Sequence, residues 1–288
     1  MRNERLYAAS DVPLLEDDRS GSAVIEPAEI FAPIDIPARV VLCFFSEVLD
    51  AIAARGDATK VKELVAAHGT HAIWEVEHRS RRLAVLNPGV GAALAAGFLE
   101  ETIALGARTI VAVGGAGALV PDLVLGHAVV VESAVRDEGT SFHYLPPSRV
   151  VAADAAGVEA LQQTLTAAGV PFVTGRTWTT DALYRETRGR VRRRVAEQCV
   201  TVEMEAAALI AVAQYGVRGS LSFSMPATRS RVTNGRSGSG RKPLRSASNS
   251  SGTRQMPASL WSEAFGRRGL VVVRSAGSGS PARRRQSW

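Results

Sequence analysis

Val202-Glu203-Met204-Glu205 places two carboxylates one residue apart with a thioether between them. On a helix the two glutamates would diverge by about 200°. In an extended segment they would share one side, with Met204 opposite. Two chemistries fit. Acids at a helix start can simply answer the positive end of the helix dipole on a solvated face. Alternatively, a carboxylate can accept hydrogen bonds from a vicinal diol while a thioether packs on the apolar face of a sugar. Spacing alone does not choose between them.

Glycines concentrate at two further places. Pro88-Gly89-Val90-Gly91 follows one apolar run and precedes a helical pattern, and Gly114-Gly115-Ala116-Gly117 follows the next apolar run. Glycines there let backbone N–H groups approach a ligand, and a helix N-terminus favours an anion such as phosphate. A tight strand-to-helix turn with no ligand explains either cluster as well. Neither matches GxGxxG or a Walker loop, which argues against a nucleoside-triphosphate enzyme.

The elements around these residues alternate. Residues 39–45 (RVVLCFF) form a continuous apolar, β-branched run, the pattern of a strand buried on both faces, and 83–87, 109–114 and 127–135 read the same way. Residues 92–105 have helix-forming composition and stop at Gly106. Residues 154–168 form a second helix with Asp154 as N-cap and Gly169 beyond its end, and 206–214 (AAALIAVAQ) a third, apolar almost all round and therefore buried. Strand and helix alternate over most of 217 residues, which implies one α/β domain with a largely central sheet.

The chain has 288 residues, 46% hydrophobic and 22% charged, enough for one sizeable core. No apolar run reaches the roughly 18 residues of a membrane span, and the start lacks a signal peptide, so a soluble cytoplasmic protein is expected. Cys43 and Cys199 form no CxxC pair, and His68, His71 and His78 have no second ligand set, so no metal is expected; Cys43 reads as a small core residue. His143 reads as a packed histidine, with a place near a subunit contact as the alternative. Residues 192–194 read as a solvated arginine face, and Arg136, Asp137 and Glu138 as a charged turn that orders a loop or forms an ion pair.

The net charge of +6 conceals two unlike parts. Residues 1–217 hold 20 basic and 27 acidic side chains, whereas residues 218–288 hold 14 and 1. The second part is rich in Ser, Arg, Gly and Pro and loses apolar periodicity, so it is expected to be a disordered basic tail. The domain is thus 1–217, with 1–22 an N-terminal extension. A basic arm for nucleic acid, a solubilising extension and a shifted reading frame near residues 216–218 all account for the tail. With so few aromatics for base stacking (Phe223, Trp261, Phe265 and Trp288), nucleic acid is a partner only if the tail is genuine.

In order along the chain, NPGVGAALAAGFLEETIALGA, VGGAGAL, SAVRDEGTSFHY, TGRTWTTDALYRET and VEMEAAALIAVA resemble the nucleoside phosphorylase family, on the uridine phosphorylase side, over roughly residues 24–217. The resemblance implies a three-layer α/β/α sandwich around a mixed, partly barrel-like central sheet. It also implies a homo-oligomer, dimer or hexamer, and phosphorolysis of a nucleoside to free base and (deoxy)ribose 1-phosphate. Inorganic phosphate is then a co-substrate and no cofactor is needed. By the same resemblance Glu205 would hold the ribose hydroxyls, Met204 would pack on the sugar, and Glu203 would sit close by. Gly89, Gly91, Gly114, Gly115 and Ala116 would line the sugar and phosphate side. Trp178, Thr180, Tyr184, Thr187 and Arg188 would fall in the base-pocket segment. No residue is singled out as catalytic.

The chain also departs from the pattern. Ala112 and Gly115 stand where uridine phosphorylases carry a phosphate-binding arginine and a serine or threonine, and their N-terminal glycine and arginine loop has no match around Ile25-Glu26-Pro27. Thr187 replaces a uracil-reading glutamine, and Arg188 lies one position off the arginine. Water in place of phosphate (a nucleosidase) and a non-catalytic nucleoside-binding protein or inactive truncated homologue are the alternatives. The family also has a core strand after the VEMEAAAL helix. A shifted frame over residues 219–228 permits a strand ending in Ala-Gly-Asp there, so the written tail is expected to replace that strand and the last helix.

Overall fold

The computed structural model describes residues 12–16, 22–67, 69–121, 123 and 128–216, and the backbone of 221–228. The expectations placed on residues 1–11, His68, His127 and residues 229–288 lie outside the described residues. The elements run α1 (Pro27–Ile30), β1 (Arg39–Cys43), α2 (Ser46–Ala54), β2 (Thr59–Ala66), β3 (Gly69–His78), β4 (Arg81–Leu86), α3 (Ala92–Leu105), β5 (Thr109–Val113) and β6 (Ala116–Ala118). They continue with β7 (Ala128–Asp137), β8 (Val150–Ala152), α4 (Ala155–Ala167), β9 (Phe172–Thr180), α5 (Arg188–Ala196), β10 (Cys199–Glu203), α6 (Ala206–Gly216) and β11 (Leu221–Thr228).

All the strands join one mixed sheet, in the order β2-β3-β4-β1-β5-β11-β6-β10-β9-β7-β8. β11 also pairs with β7, so β11, β6, β10, β9 and β7 close into a five-stranded ring. Period-two alternation divides the side chains between two helical layers. Val40 and Leu42 of β1 join the main core with α3 and α6, whereas Val41 and Cys43 face α2 with Leu49 and Val85. Leu161 of α4 packs on Val130, and Val191 of α5 on Trp178 and Cys199. This is the expected three-layer sandwich with a partly closed sheet. No helix among the described residues is long and apolar enough to cross a membrane.

The helix ends follow their local chemistry. Asp154 accepts from the Gly157 N–H at 2.7 Å and caps α4, and Gly106 ends α3 at φ 134°. Residues 206–213 of α6 are all buried, as an all-apolar helix requires.

Three expectations are corrected, and one hairpin was not foreseen. Residues 221–228, read as part of an irregular tail, form strand β11, parallel to β5 and β6 and antiparallel to β7. Without that strand, β5, β6 and β7 would each present open backbone groups. Pro226, which has no N–H to give, falls between the β5 pairing, which ends at Ser224, and the β6 pairing, which begins at Ala227. Arg194 is 6% exposed instead of solvated: it pairs with Asp137 and Glu197 at 2.9 Å each, while Arg192 and Arg193 are exposed. His143 is exposed on the single chain, so it is not packed within the subunit. The hairpin β2–β3 went unread: β2 is mostly exposed and β3 mostly half-buried, so neither carries an unbroken apolar run.

Arg136 and Asp137 close strand β7 instead of forming a turn, but they make both kinds of contact read for them. Arg136 donates to Ser141 Oγ, Ser148 Oγ and the Pro146 carbonyl and lies 4.2 Å from the Phe142 ring centre, which orders residues 140–149. Asp137 makes the ion pair with Arg194.

Candidate active site

Strands β4, β1, β5 and β11 run parallel, so their carboxyl ends share one edge, the usual place for a ligand in an α/β sheet. Both glycine clusters lie at that edge. The Glu203 to Glu205 turn joins it through a contact between residues 114 positions apart in the chain: the Gly91 N–H donates to Glu205 Oε1 at 2.6 Å.

The tetrapeptide is neither wholly helix nor wholly strand. β10 ends at Glu203, Met204 and Glu205 form a bend, and α6 begins at Ala206. Both glutamates are 5% exposed and Met204 is half-buried, so the solvated helix start is ruled out. Glu203 Oε2 accepts the N–H groups of Glu205 and Ala206, each at 2.6 Å, and Oε1 accepts the Thr179 hydroxyl at 2.5 Å. Burial pushes the Glu203 carboxyl above its ordinary range, and the charge of Glu205 pushes it further, against the pull of those hydrogen bonds. Burial raises Glu205 too, opposed by the N–H groups of Gly91 and Met204. The two behave as one pair that takes a single negative charge more readily than two.

The first glycine turn is organised by a residue that the motif reading passed over. Asn87 Oδ1 accepts the Gly89 N–H at 2.8 Å, its Nδ2 donates to Ser46 Oγ at 3.1 Å, and its carbonyl accepts from His71 Nδ1 at 2.7 Å. Because a carbonyl only accepts, Nδ1 carries the proton in that contact. The His71 ring also lies 4.5 Å from the Phe98 ring, centre to centre. The Asn-Pro-Gly order was the available signal, since asparagine commonly bonds the backbone two residues on. Gly91, at φ 102°, is the N-cap of α3.

The second turn is built otherwise. Gly114 and Ala116 are buried and Gly115 is exposed, and the chain passes into the short strand β6, not into a helix, so no helix N-terminus faces an anion there. The Phe44 ring packs on Gly114, 3.0 Å from where a Cβ would stand.

The remaining expected contacts scatter. Trp178 is fully buried on the α5 side, its Nε1 donating to Asp137 Oδ2 at 2.9 Å, because it alternates with Thr177 and Thr179, which face Glu203. Thr180 is 1% exposed and Tyr184 91%. Thr187 accepts from the Arg190 N–H to cap α5, and Arg188 is the exposed first residue of that helix. The structure therefore brings Glu203 and Glu205 onto the turn of Gly89 and Gly91, while the Trp178 indole is engaged by Asp137 and Thr187 and Arg188 open α5.

Uridine phosphorylase of Salmonella typhimurium is 27% identical over 172 residues, 54% of this chain and 68% of that protein. The structure of uridine phosphorylase from Vibrio fischeri superposes with a TM-score of 0.60 at 22% identity, covering 68% of this chain and 79% of the other. AMP nucleosidase from Bacteroides thetaiotaomicron superposes with a TM-score of 0.59 at 22% identity, covering 67% and 82%. Residues 38–217, well over half of the chain, match the family model described as the phosphorylase superfamily, and with the closed mixed sheet and the carboxylate turn described above, the chain belongs to that superfamily.

Proposed function

We propose that this chain cleaves the N-glycosidic bond of a nucleoside by phosphorolysis, releasing the free base and a (deoxy)ribose 1-phosphate. The observation that carries the reading is the buried carboxylate of Glu205, turned onto the N–H of Gly91 at the head of α3. A carboxylate accepts about four hydrogen bonds, and backbone N–H groups use only part of that capacity. A sugar diol would use the rest, with Met204 against its apolar face. Phosphate would attack the anomeric carbon as the bond to the base breaks, the electron pair leaving with the base, which takes up a proton. Positioning and charge stabilisation supply the rate enhancement in such a reaction. The likeness to uridine phosphorylase of Salmonella typhimurium supports the same chemistry.

The second glycine turn favours a second reading. With Ala112 and Gly115 at the expected phosphate positions and Phe44 packed on Gly114, water would replace phosphate and the product would be free ribose. Base release from a panel of purine and pyrimidine nucleosides, with and without phosphate, tests both. Release that depends on phosphate supports phosphorolysis, release without it supports hydrolysis, and binding without release in either condition overturns both.

A further inference from the structure

The first turn of α6 has no conventional cap. Its opening N–H groups, from Glu205 to Ala208, have no partner within the helix, and Glu205, at the capping position, turns its own carboxylate away to Gly91. Three of those N–H groups are nevertheless satisfied from outside. Glu203 Oε2 accepts from Glu205 and Ala206, and Thr179 Oγ1 accepts from Ala207 at 3.0 Å while donating to Glu203 Oε1. Thr179 and Glu203 are register partners on the parallel strands β9 and β10, so one rung of the sheet holds three of the four opening N–H groups.

We propose that Thr179 and Glu203 are positioning residues, a buried clamp on the α6 N-terminus that aims the Glu205 carboxylate at Gly91 without touching the substrate. Glu203 Oε2 accepts two N–H groups and Oε1 accepts Thr179 with Thr177 3.4 Å from the same oxygen, which fills about four acceptor places, whereas Glu205 Oε1 accepts the Gly91 N–H and keeps places free; Thr179 is 0% exposed. Glu205 is set by the clamp because its own N–H is one of the groups that Glu203 holds. Thr177 Oγ1, at 3.4 Å from Glu203 Oε1 and 3.3 Å from the Thr201 carbonyl, makes only weak bonds and is not part of the clamp.

The catalytic consequence rests on the proposed function, whereas the clamp is readable without it. Amide hydrogen exchange in the full chain is compared for wild type, Thr179→Val, Thr179→Ser, Glu203→Gln and Thr177→Val. In Thr179→Val the amides of Ala207 and of Gly91, which lies on another element, exchange about tenfold faster, as loss of one ordinary hydrogen bond implies. Thr179→Ser and Thr177→Val keep wild-type protection at both. Glu203→Gln, which keeps the shape of the side chain, carries the same expectation as Thr179→Val should that variant fail to fold. Unchanged exchange at Gly91 in both variants overturns the clamp.

A second arm reads base release in a double-mutant cycle. Thr179→Val lowers kcat/KM about tenfold with Glu205 present and has no further effect in Glu205→Ala, because it acts through that residue. Equal losses in both backgrounds overturn the positioning role. A wild-type chain that releases no base from any nucleoside defeats the functional reading alone, and Gly91 exchange then decides the clamp by itself.

Discussion

Gly91 and Gly114 each stand beyond the end of a parallel strand, yet a side chain is excluded for different reasons. At Gly91 a Cβ would meet nothing within 4 Å, and the obstacle is the backbone, held at φ 102° where L-residues are strained. At Gly114 no such φ occurs, and the obstacle is the Phe44 ring. The first turn leads into the long helix α3 and gives its N–H to Glu205, whereas the second leads into a three-residue strand. One turn is shaped for a polar contact and the other for packing. If the chain handles a nucleoside, its sugar chemistry should depend on the first far more than on the second.

The largest expected effect follows directly. Glu205→Ala removes the charged acceptor from the first turn, and hydrogen bonds to charged groups are worth up to about 3 kcal/mol, so kcat/KM for base release should fall on the order of 100-fold. A fall smaller than about tenfold would remove the functional weight from the first turn. Gly89→Ala comes next, read as stability. Gly89 combines both obstacles, with φ 75° and a Cβ that would stand 2.3 Å from Leu94 Cδ2, so urea unfolding should show a loss of about 3 kcal/mol.

The Glu203–Glu205 pair gives the third. Its carboxyls lie above their ordinary range in the folded chain, so the fold binds more protons than the unfolded state between the two. Stability from this pair is therefore full in acid below the ordinary carboxylate range and declines as pH rises through about 8, where burial has pushed Glu203. Glu203→Gln removes the Glu203 part of that dependence and so makes the decline shallower, while the part that burial of Glu205 contributes remains. Denaturant midpoints measured at several pH values check it. Glu100, Glu101 and Glu186 are raised in the same direction by burial, so a slope that persists undiminished in the variant would belong to them instead.

What could be read in advance divides along the same line. β1, α3 and α4 were legible because their signals are local: an unbroken apolar run, a glycine stop, an aspartate cap. Glu203 and Glu205 were legible as a pair but not as individuals, because the chain changes from strand to helix between them and neither the helical nor the extended geometry applies throughout. Trp178 and Arg194 were misjudged for a long-range reason. Each is fixed by Asp137, a residue 41 positions from the first and 57 from the second, and no local pattern carries that information. β11 was missed because its slot is created by β5, β6 and β7, not by its own Ser- and Pro-containing sequence.

The smallest effects sharpen the contrast most. Gly91→Ala should cost about 1–2 kcal/mol, the strain of forcing an L-residue into that backbone. Truncating neighbours should not relieve it, since none lies within 4 Å. Gly114→Ala should cost about 1 kcal/mol, because the Phe44 ring must give by a few tenths of an ångström in a close-packed site. That cost is relievable. Phe44→Leu is destabilising alone, but in its presence the Gly114→Ala penalty should shrink, a coupling of about 0.5–1 kcal/mol in a double-mutant cycle. The same Phe44→Leu change should leave the Gly91→Ala penalty additive within about 0.5 kcal/mol. Coupling at Gly91 and additivity at Gly114 would reverse the assignment, making the first turn the packed one and the second the strained one.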